Sequence, residues 1–549
     1  MENKNIVLFF ILSFGLLLVW QVMQEDMTVA PVASTEQTEQ APVSAPPVQE
    51  DIPSTSPPVS SASSIEQSPL TEDVLASGKR IHIKTDVLDI ELDTLGGDFR
   101  KANLLAYPIK VDEPDKPVKL LEDGKKRLFI AQSGLISDSA PDHHAVFTAE
   151  QESYNLGEDA NELRVPLTWK DSNGVTVVKT YILHRDSYLI DVEQKVVNES
   201  NQPWKGYQYQ QMQRTRPGEG EKPAFIYTYT GGVIYSEEEK YEKIEFDDMA
   251  DENLSRDIKG GWAAMIEHYF LGAWIPNKEE SFHYYSKALD SGPFVLGMVS
   301  PEKLIDSGNS ATFGSQFYVG PKDQERLEQV AQGLTLTVDY GFLTIIAHPI
   351  FVALKYIHKM VGNWGWAIII ITLFIKLLFY KLSEKSYRSM ANMRRLQPKM
   401  TALRERYGDD RQKMSQAMME MYKKEKINPL GGCLPMLVQI PVFISLYWVL
   451  LESVEMRQAE FMFWLTDLSS KDPYYILPLL MGASMFIQQK LNPAPPDPVQ
   501  AKVMMALPVI FTAFFAFFPS GLVLYWTVNS ILSILQQWVI TRRIENAAK

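Results

Sequence analysis

The sequence predicts a polytopic α-helical membrane protein with six transmembrane helices, carrying one large all-β domain outside the membrane. Three observations predict it. The last third of the 549 residues holds several long apolar runs, although mean hydropathy over the whole chain is only -0.13. Charge is split along the chain: residues 342–549 carry 23 Lys+Arg against 13 Asp+Glu, whereas residues 24–341 carry 29 against 53. Residues 71–335 alternate apolar and polar side chains in short runs separated by turn residues, the pattern of half-buried strands. An acidic soluble middle is thus joined to a basic membrane part, and the formal net charge of -14 describes neither.

Residues 1–23 contain the run "NIVLFFILSFGLLLVWQVM" after a short start bearing Lys4. The run is long for a cleaved signal core, and the nearest small-residue site, around Ala30, lies well beyond it. An uncleaved signal anchor is expected. Residues 24–70 are rich in Pro, Ser, Thr, Gln and Glu with no apolar period, so they are expected to form a disordered tether. In 71–335, "RIHIKTDVLDIELDTLGGDFRKANL" breaks at Gly96-Gly97, and "VTVVKTYILHRDSYLIDVEQKVVNES" turns at His184–Asp186. Many such runs predict a large β-sandwich. His82, His184 and His268 lie in or near strands without metal spacing or a nucleophile motif, so they are expected to be ordinary histidines.

Residues 343–363 place His348, Lys355 and Lys359 on one helical side and Ile346, Ile350, Leu354 and Ile357 on another, which predicts a helix lying in the membrane interface or, alternatively, one packed on the β-domain. Spans are then expected at 364–382, 434–451, 474–489, 503–518 and 521–540, forming a five-helix core within 364–540. Two of these are short for a hydrocarbon core about 30 Å thick, and short spans thin the bilayer around them. The loop 384–426 has 12 Lys+Arg against six acids, and the loop 452–473 has two against five. By the positive-inside rule the basic loop and the tail 541–549 are cytoplasmic, the N-terminus is cytoplasmic, and the β-domain is outside.

One charge stands within the five spans away from a helix end: Lys376, in "WGWAIIIITLFIKLLFYKL". A lysine near the centre of a span costs roughly 2.5–3.5 kcal/mol on insertion scales. Snorkelling toward an end expected at Leu382, about 9 Å away, would relieve that cost, but Thr372 and Tyr380 at i−4 and i+4 add polar groups to the same face. Gln439, Gln488 and Gln489 lie in other spans, and the last span carries Tyr525, Trp526, Asn529, Ser530, Ser533 and Gln537 at helical spacing. Such faces either make ordinary interhelical hydrogen bonds or enclose a hydrophilic groove. The five spans hold no intramembrane carboxylate or histidine, which argues against an ion-coupled transporter, and no phosphate-binding Gly-rich motif occurs. The one cysteine, Cys433, excludes an internal disulfide framework. The cytoplasmic segment 384–427 predicts a helical hairpin rich in methionine, including Met414, Met418 and Met421, either a surface adaptable to varied apolar partners or the hairpin's own packing.

"GNWGWAIIIIT", "LQPKM", "NPLGGCLPMLVQIPVF", "DPYYILP" and "FPSGLVLYW" resemble the YidC family of membrane-protein insertases in the Oxa/Alb superfamily, through nearly the whole chain. The resemblance implies a periplasmic supersandwich like that of galactose mutarotases, without locatable mutarotase catalytic residues. It implies a bacterial inner-membrane location and no enzyme activity, cofactor or metal. Partners would be nascent membrane proteins, the Sec translocon, a translating ribosome and membrane lipids, with no specific nucleic-acid sequence. By position, the family's basic groove residue falls on Lys376, its groove glutamine on Gln439, and its polar or aromatic contacts on Thr372, Tyr525 and Trp526. Gln489 and Asn529 join the expected groove through the polar faces described above. The tail "TRRIENAAK" is shorter and less basic than tails that dock ribosomes, leaving the basic hairpin for that contact. Rival readings are an envelope sugar-binding or sugar-modifying protein anchored by its spans, and a small-solute channel.

Overall fold

The computed structural model describes residues 53, 75–218, 228–290, 292–407, 410–425, 434–492 and 498–547. The expected anchor at 1–23, nearly all of the tether at 24–70, Cys433, Gly431-Gly432 and residues 548–549 lie outside the described residues. The chain forms two units, one of Val48–Asp339 with Glu452–Glu455 and one that includes Tyr340–Leu451 and Met456–Lys549.

The first unit is built from an 11-stranded and a 9-stranded sheet. Period-two patterning sets which side of each strand is covered. In the strand Leu189–Asn198, Val192 and Val196 are buried while Glu193 and Lys195 are exposed. This strand pairs antiparallel with Val175–His184, through a turn in which Asp186 takes φ 52°, and with Ser310–Pro321 on its other side. A register slip of one residue would turn all four of those side chains around, so the pattern fixes the pairing. Phe99, Tyr181, Trp274 and Phe317 form an aromatic cluster, with Phe99 4.9 Å from Phe317 and 5.1 Å from Tyr181.

The core also contains charge. Lys179 is fully buried and donates to the carbonyls of Gly96 (2.9 Å) and Ser133 (2.7 Å). Asp98, equally buried, accepts from Gln132 at 2.9 Å and lies 3.6 Å from Arg100. Burial raises the Asp98 carboxyl above its ordinary value and lowers Lys179 from 10.5 to about 8. The unfolded chain therefore keeps the Lys179 proton to higher pH than the folded chain does. The penalty for burying the ammonium is complete below pH 8 and is relieved as pH rises toward 10.5. Between pH 8 and 9.5, the thermal midpoint of the sandwich should rise relative to that of Lys179→Met, which lacks this group. Parallel pH profiles of the two proteins by calorimetry would contradict the assignment.

The second unit is helical: α1 (Thr344–Val361), α2 (Trp364–Leu378), α3 (Tyr380–Tyr407), α4 (Arg411–Lys424), α5 (Leu434–Glu452), α6 (Ile476–Leu491), α7 (Pro498–Phe515) and α8 (Ser520–Ala547). Helix α1 ends at Gly362, which takes the left-handed φ of 68°, and His358 stacks on Trp364 at 3.9 Å across the turn. Its buried residues are Ala347, Phe351 and Leu354, while Ile345, Val352, Tyr356 and Met360 are exposed. Apolar surface therefore runs around more of α1 than the single face expected from sequence. Helix α8 packs on α6, α2 and α3. Helices α6 and α7 approach closely at Gly482, where a Cβ would lie 1.9 Å from Thr512 Oγ1.

One expectation needs correction. The run 364–382 is not one straight helix: α2 stops at Leu378 and the chain turns by 67° into α3. Neither Gly nor Pro stands at the break. The direction changes where the sequence passes from "IKLLF" to the charged "YKLSEK", and α3 folds back on α8, with Tyr387 reaching the Ser533 carbonyl at 3.5 Å. Among the described residues, Gly341–Val361 and Ser520–Ile544 are long and apolar enough to cross a membrane, and the bent α2–α3 pair can count as a third span. Val438–Glu452 and Ala501–Phe515 are shorter apolar helices.

Candidate functional site

Helix α2 has two unlike sides. Ile370, Leu373, Phe374, Leu377 and Leu378 are exposed, while Gly365, Ile368, Ile371, Thr372 and Lys376 are buried. Because α2 ends at Leu378, Lys376 sits in its last turn, and the ammonium is favourably placed beside the helix C-terminus. Only 7 % of Lys376 is accessible, so it does not snorkel to solvent. Its Nζ donates to Ser533 Oγ on α8 at 2.8 Å, and Ser533 Oγ donates in turn to the Asn529 carbonyl at 2.7 Å.

This seam differs from the set read off the sequence. Asn529 takes part through its backbone. Thr372, 1 % accessible, turns its hydroxyl back to the Ile368 carbonyl at 2.6 Å and does not bond Lys376. Tyr380 lies past the helix break, so the i+4 relation to Lys376 no longer holds. Tyr525 and Trp526 build an aromatic junction: Phe443 of α5 stacks on Tyr525 at 5.6 Å and meets Trp526 edge-on at 4.6 Å, while Phe515 of α7 lies 4.8 Å from Trp526. Gln439 and Gln489 are half-buried on α5 and α6, and neither is a hydrogen-bond partner of Lys376. Gln537 donates to the Leu491 carbonyl and Asn529's neighbour in sequence space, Ser530, is buried on the same helix.

Ser533 is the residue whose importance sequence reasoning underrated. It stood among the polar residues of the last span, four positions after Asn529, but nothing in its spacing marked it as the lysine's partner.

Helices α3 and α4 form the hairpin. Asp410 caps α4 by accepting from the Lys413 amide at 3.1 Å, and Lys399 pairs with Glu425 at 2.6 Å across the hairpin. Met414, Met418 and Met421 are half-buried on α4, Met419 is 55 % accessible, and the Tyr422 hydroxyl contacts Met400 Sδ at 3.9 Å. Some methionines thus pack within the hairpin while others face outward.

The sandwich holds a cleft of about 1570 Å³, whose lining includes His184, Asp191, Glu193, Gly314 and Gln316. Asp191 accepts from Gln316 at 2.8 Å and lies 3.0 Å from His184. Trp262 and Phe313, though part of the lining, are buried and offer no stacking face for a sugar ring. Among the described residues no group of three or more His, Cys, Asp and Glu is arranged to hold a metal ion.

Comparison with known proteins identifies the two units separately. Residues 80–353 match the family model described as the YidC periplasmic domain, and residues 356–547 match the one described as 60Kd inner membrane protein. The chain is therefore an inner-membrane protein with a periplasmic domain. Membrane protein insertase YidC of Methylococcus capsulatus is 54 % identical over 548 residues, covering 99 % of each chain. Its counterpart from Alkalilimnicola ehrlichii is also 54 % identical, covering 99 % of this chain and 96 % of that one. A crystal structure described as an active YidC insertase aligns over 84 % of this chain and 93 % of the other at 17 % identity, with a TM-score of 0.39. The full-length relatives decide the assignment: the chain belongs to the YidC family of membrane protein insertases, whose work is insertion and not enzymatic conversion.

Proposed function

We propose that the seam between α2 and α8 is where a client's polar segment is received on its way through the membrane. The observation that carries this is the Lys376 ammonium held by Ser533 in a helix whose other side is exposed hydrocarbon. In hydrocarbon each unpaired polar group costs several kcal/mol, so a polar segment crosses only where partners replace water. Lys376 and the polar residues of α8 offer such partners, and the lysine attracts acidic segments. The seam opens as a wet groove toward cytoplasm and lipid when a client group exchanges with Ser533 for the ammonium. Gln439, Thr372, Tyr525 and Trp526 border this path, Gln489 lies along α6, and the client's apolar helix leaves sideways into lipid through its own burial.

Several features support the arrangement around it. By the positive-inside rule the basic loop and tail favour cytoplasmic termini, and the arrangement we propose has six spans in all, with α1 at the outer interface and the hairpin projecting inward. Helix α2, at 15 residues, spans only about 22 Å of a hydrocarbon core about 30 Å thick, so the bilayer beside it is thinned. The hairpin receives nascent chains from the ribosome, and the protein works alone or beside the Sec translocon. The groove and the hairpin belong to the helical unit, so deleting residues 75–320 should leave insertion of a simple client within about twofold of the full chain, provided α1 is kept. Protease protection of the client in proteoliposomes measures this. Loss of insertion by a stably integrated deletion protein would move function into the sandwich. Ribosome-stalled clients carrying a photocrosslinker should label α2 and α8 positions; labelling elsewhere alone would displace the proposed path.

A further inference from the structure

Between α5 and α6, residues 456–475 form an ordered cap without regular secondary structure beyond its first turn. Two inward-turned carboxylates organise it. Asp467 accepts from the Gln458 amide (3.1 Å), the Ser469 amide (2.8 Å) and the Ser469 and Ser470 hydroxyls (each 2.6 Å). Asp472, 1 % accessible, accepts from Trp464 Nε1 (3.0 Å) and the amides of Tyr474 (3.0 Å) and Leu477 (2.7 Å). The cap is fastened to two other helices. Asn363, the N-cap of α2, donates to the Phe461 carbonyl at 2.9 Å, and Phe461 lies against Gly365, where a Cβ would be 2.0 Å from its ring. At α8, Ser520 donates its hydroxyl to the Asp467 carbonyl (2.9 Å) and its amide to the Ser470 carbonyl (2.7 Å).

This rigid body presents aromatic rings outward. Phe463 is 83 % accessible and takes a left-handed φ of 56°, and its ring stacks on Trp464 at 6.1 Å. A bulky residue in that backbone region costs on the order of 1–3 kcal/mol and persists only where the surroundings impose it. Here the cap holds in that conformation a ring that the described residues leave largely uncovered. Tyr474 and Tyr475 (φ 57°) stand at the mouth of α6, and Trp366 in the first turn of α2, all well exposed. Directly behind them come exposed hydrocarbon residues, Leu479 and Leu480 on α6 and Ile370 and Leu373 on α2. Aromatic rings standing between a polar network and an apolar band follow the order of headgroup-level girdles.

We propose that this cap is a membrane anchor: Phe463, with Trp366 and Tyr474, seats in the headgroup–acyl boundary of the outer leaflet. Its partner is phospholipid, recognised by the boundary and not by headgroup identity. By fixing the outer interface at the mouth of the 15-residue α2, the anchor holds the bilayer thin beside Lys376. The inference rests on the orientation given under Proposed function.

The test uses the full chain with Cys433→Ser and a nitroxide at Phe463→Cys, reconstituted in nanodiscs of phosphatidylethanolamine and phosphatidylglycerol. Glu460→Cys, exposed on the same cap, is the aqueous control, and Tyr474→Cys is a second probe should the first variant misfold. Collisional relaxation at 463 and 474 should favour oxygen over a water-soluble nickel chelate, and at 460 the reverse. Equal chelate accessibility at 463 and 460 overturns the anchor, as does protection of 463 from both reagents, which would mean that protein covers it. Labelling of 460 by an impermeant maleimide on spheroplasts tests orientation separately. Failure there sinks the orientation while leaving the measured depth to stand.

Discussion

Lys376→Glu should reduce client insertion by about a hundredfold, Lys376→Ala less severely, and Lys376→Arg only slightly. The ammonium is buried, held by one hydroxyl whose own proton goes to the Asn529 carbonyl. A carboxylate at the same place reverses the charge where the neighbouring group, Ser533 on α8, offers a hydroxyl and not a cation. Leaving a buried charge unpaired costs about 3–5 kcal/mol, and every 1.4 kcal/mol is a factor of ten, so a loss of two orders of magnitude is at the low end. The same carboxylate repels the acidic client segments that the lysine attracts. Alanine removes the attraction but leaves no unpaired charge, only an unfilled space beside Ser533. Arginine keeps the charge, yet one hydroxyl cannot satisfy its planar fork of donors, so a modest loss is expected. Protease protection of an acidic client segment in proteoliposomes ranks the three variants. Equal insertion by the Glu variant and the unmodified chain would remove charge from the mechanism.

Some of this architecture was written plainly in the sequence. The alternation across 175–198 marks two strands and their turn, because period-two burial leaves a trace at every position. Lys376 is visible because a charge inside an apolar run is costly enough to be conspicuous. What pairs with it is less visible: Ser533 is one hydroxyl among several on α8, and its selection depends on where α2 ends. That end falls short of where the apolar run stops: the break at Phe379 involves neither Gly nor Pro, and α3 folds back on α8. Tyr525 and Trp526 stand out in the sequence as polar or aromatic groups, but the partners of their rings, Phe443 and Phe515, come from helices remote in sequence. The buried Lys179 sits in a strand whose alternation hides it, because a lysine on the inward side of one strand is indistinguishable from an error of register, and Asp98 lies in the turn after Gly96-Gly97, where an aspartate reads as an ordinary turn residue. The cap at 456–475 had its signals in "TDLSS" and "KDPYY", where aspartates precede the amides they accept from, but a loop's tertiary attachments to Asn363 and Ser520 leave no periodic mark.

Replacing Met414, Met418 and Met421 together with Ser should lower client crosslinking to the hairpin by at least about tenfold while leaving the spans intact. Fully burying one such side chain is worth about 1.5–3 kcal/mol. These three are already half-buried, so contact with a client covers roughly the remaining half of each, about 2–4 kcal/mol together. That exceeds the 1.4 kcal/mol of a tenfold change in affinity. The same substitutions also weaken packing inside the hairpin, so the Ser variant alone is ambiguous. The Lys399–Glu425 pair and the Tyr422–Met400 contact give a separate reading of that packing. A disulfide across the hairpin between Lys399→Cys and Glu425→Cys, in the Cys433→Ser chain, should form equally well with Met or Ser at the three positions if the hairpin stays closed. Leu at the three positions keeps the apolar area but loses the unbranched, polarizable chain that adapts to unlike partners, and should cost less than Ser. With the hairpin closed, the outcomes separate cleanly. Lost crosslinking in the Ser variant and partial recovery in the Leu variant assign the methionines to client capture. Normal capture by the Ser variant returns them to packing and shifts recruitment to the basic residues of α3 and α4.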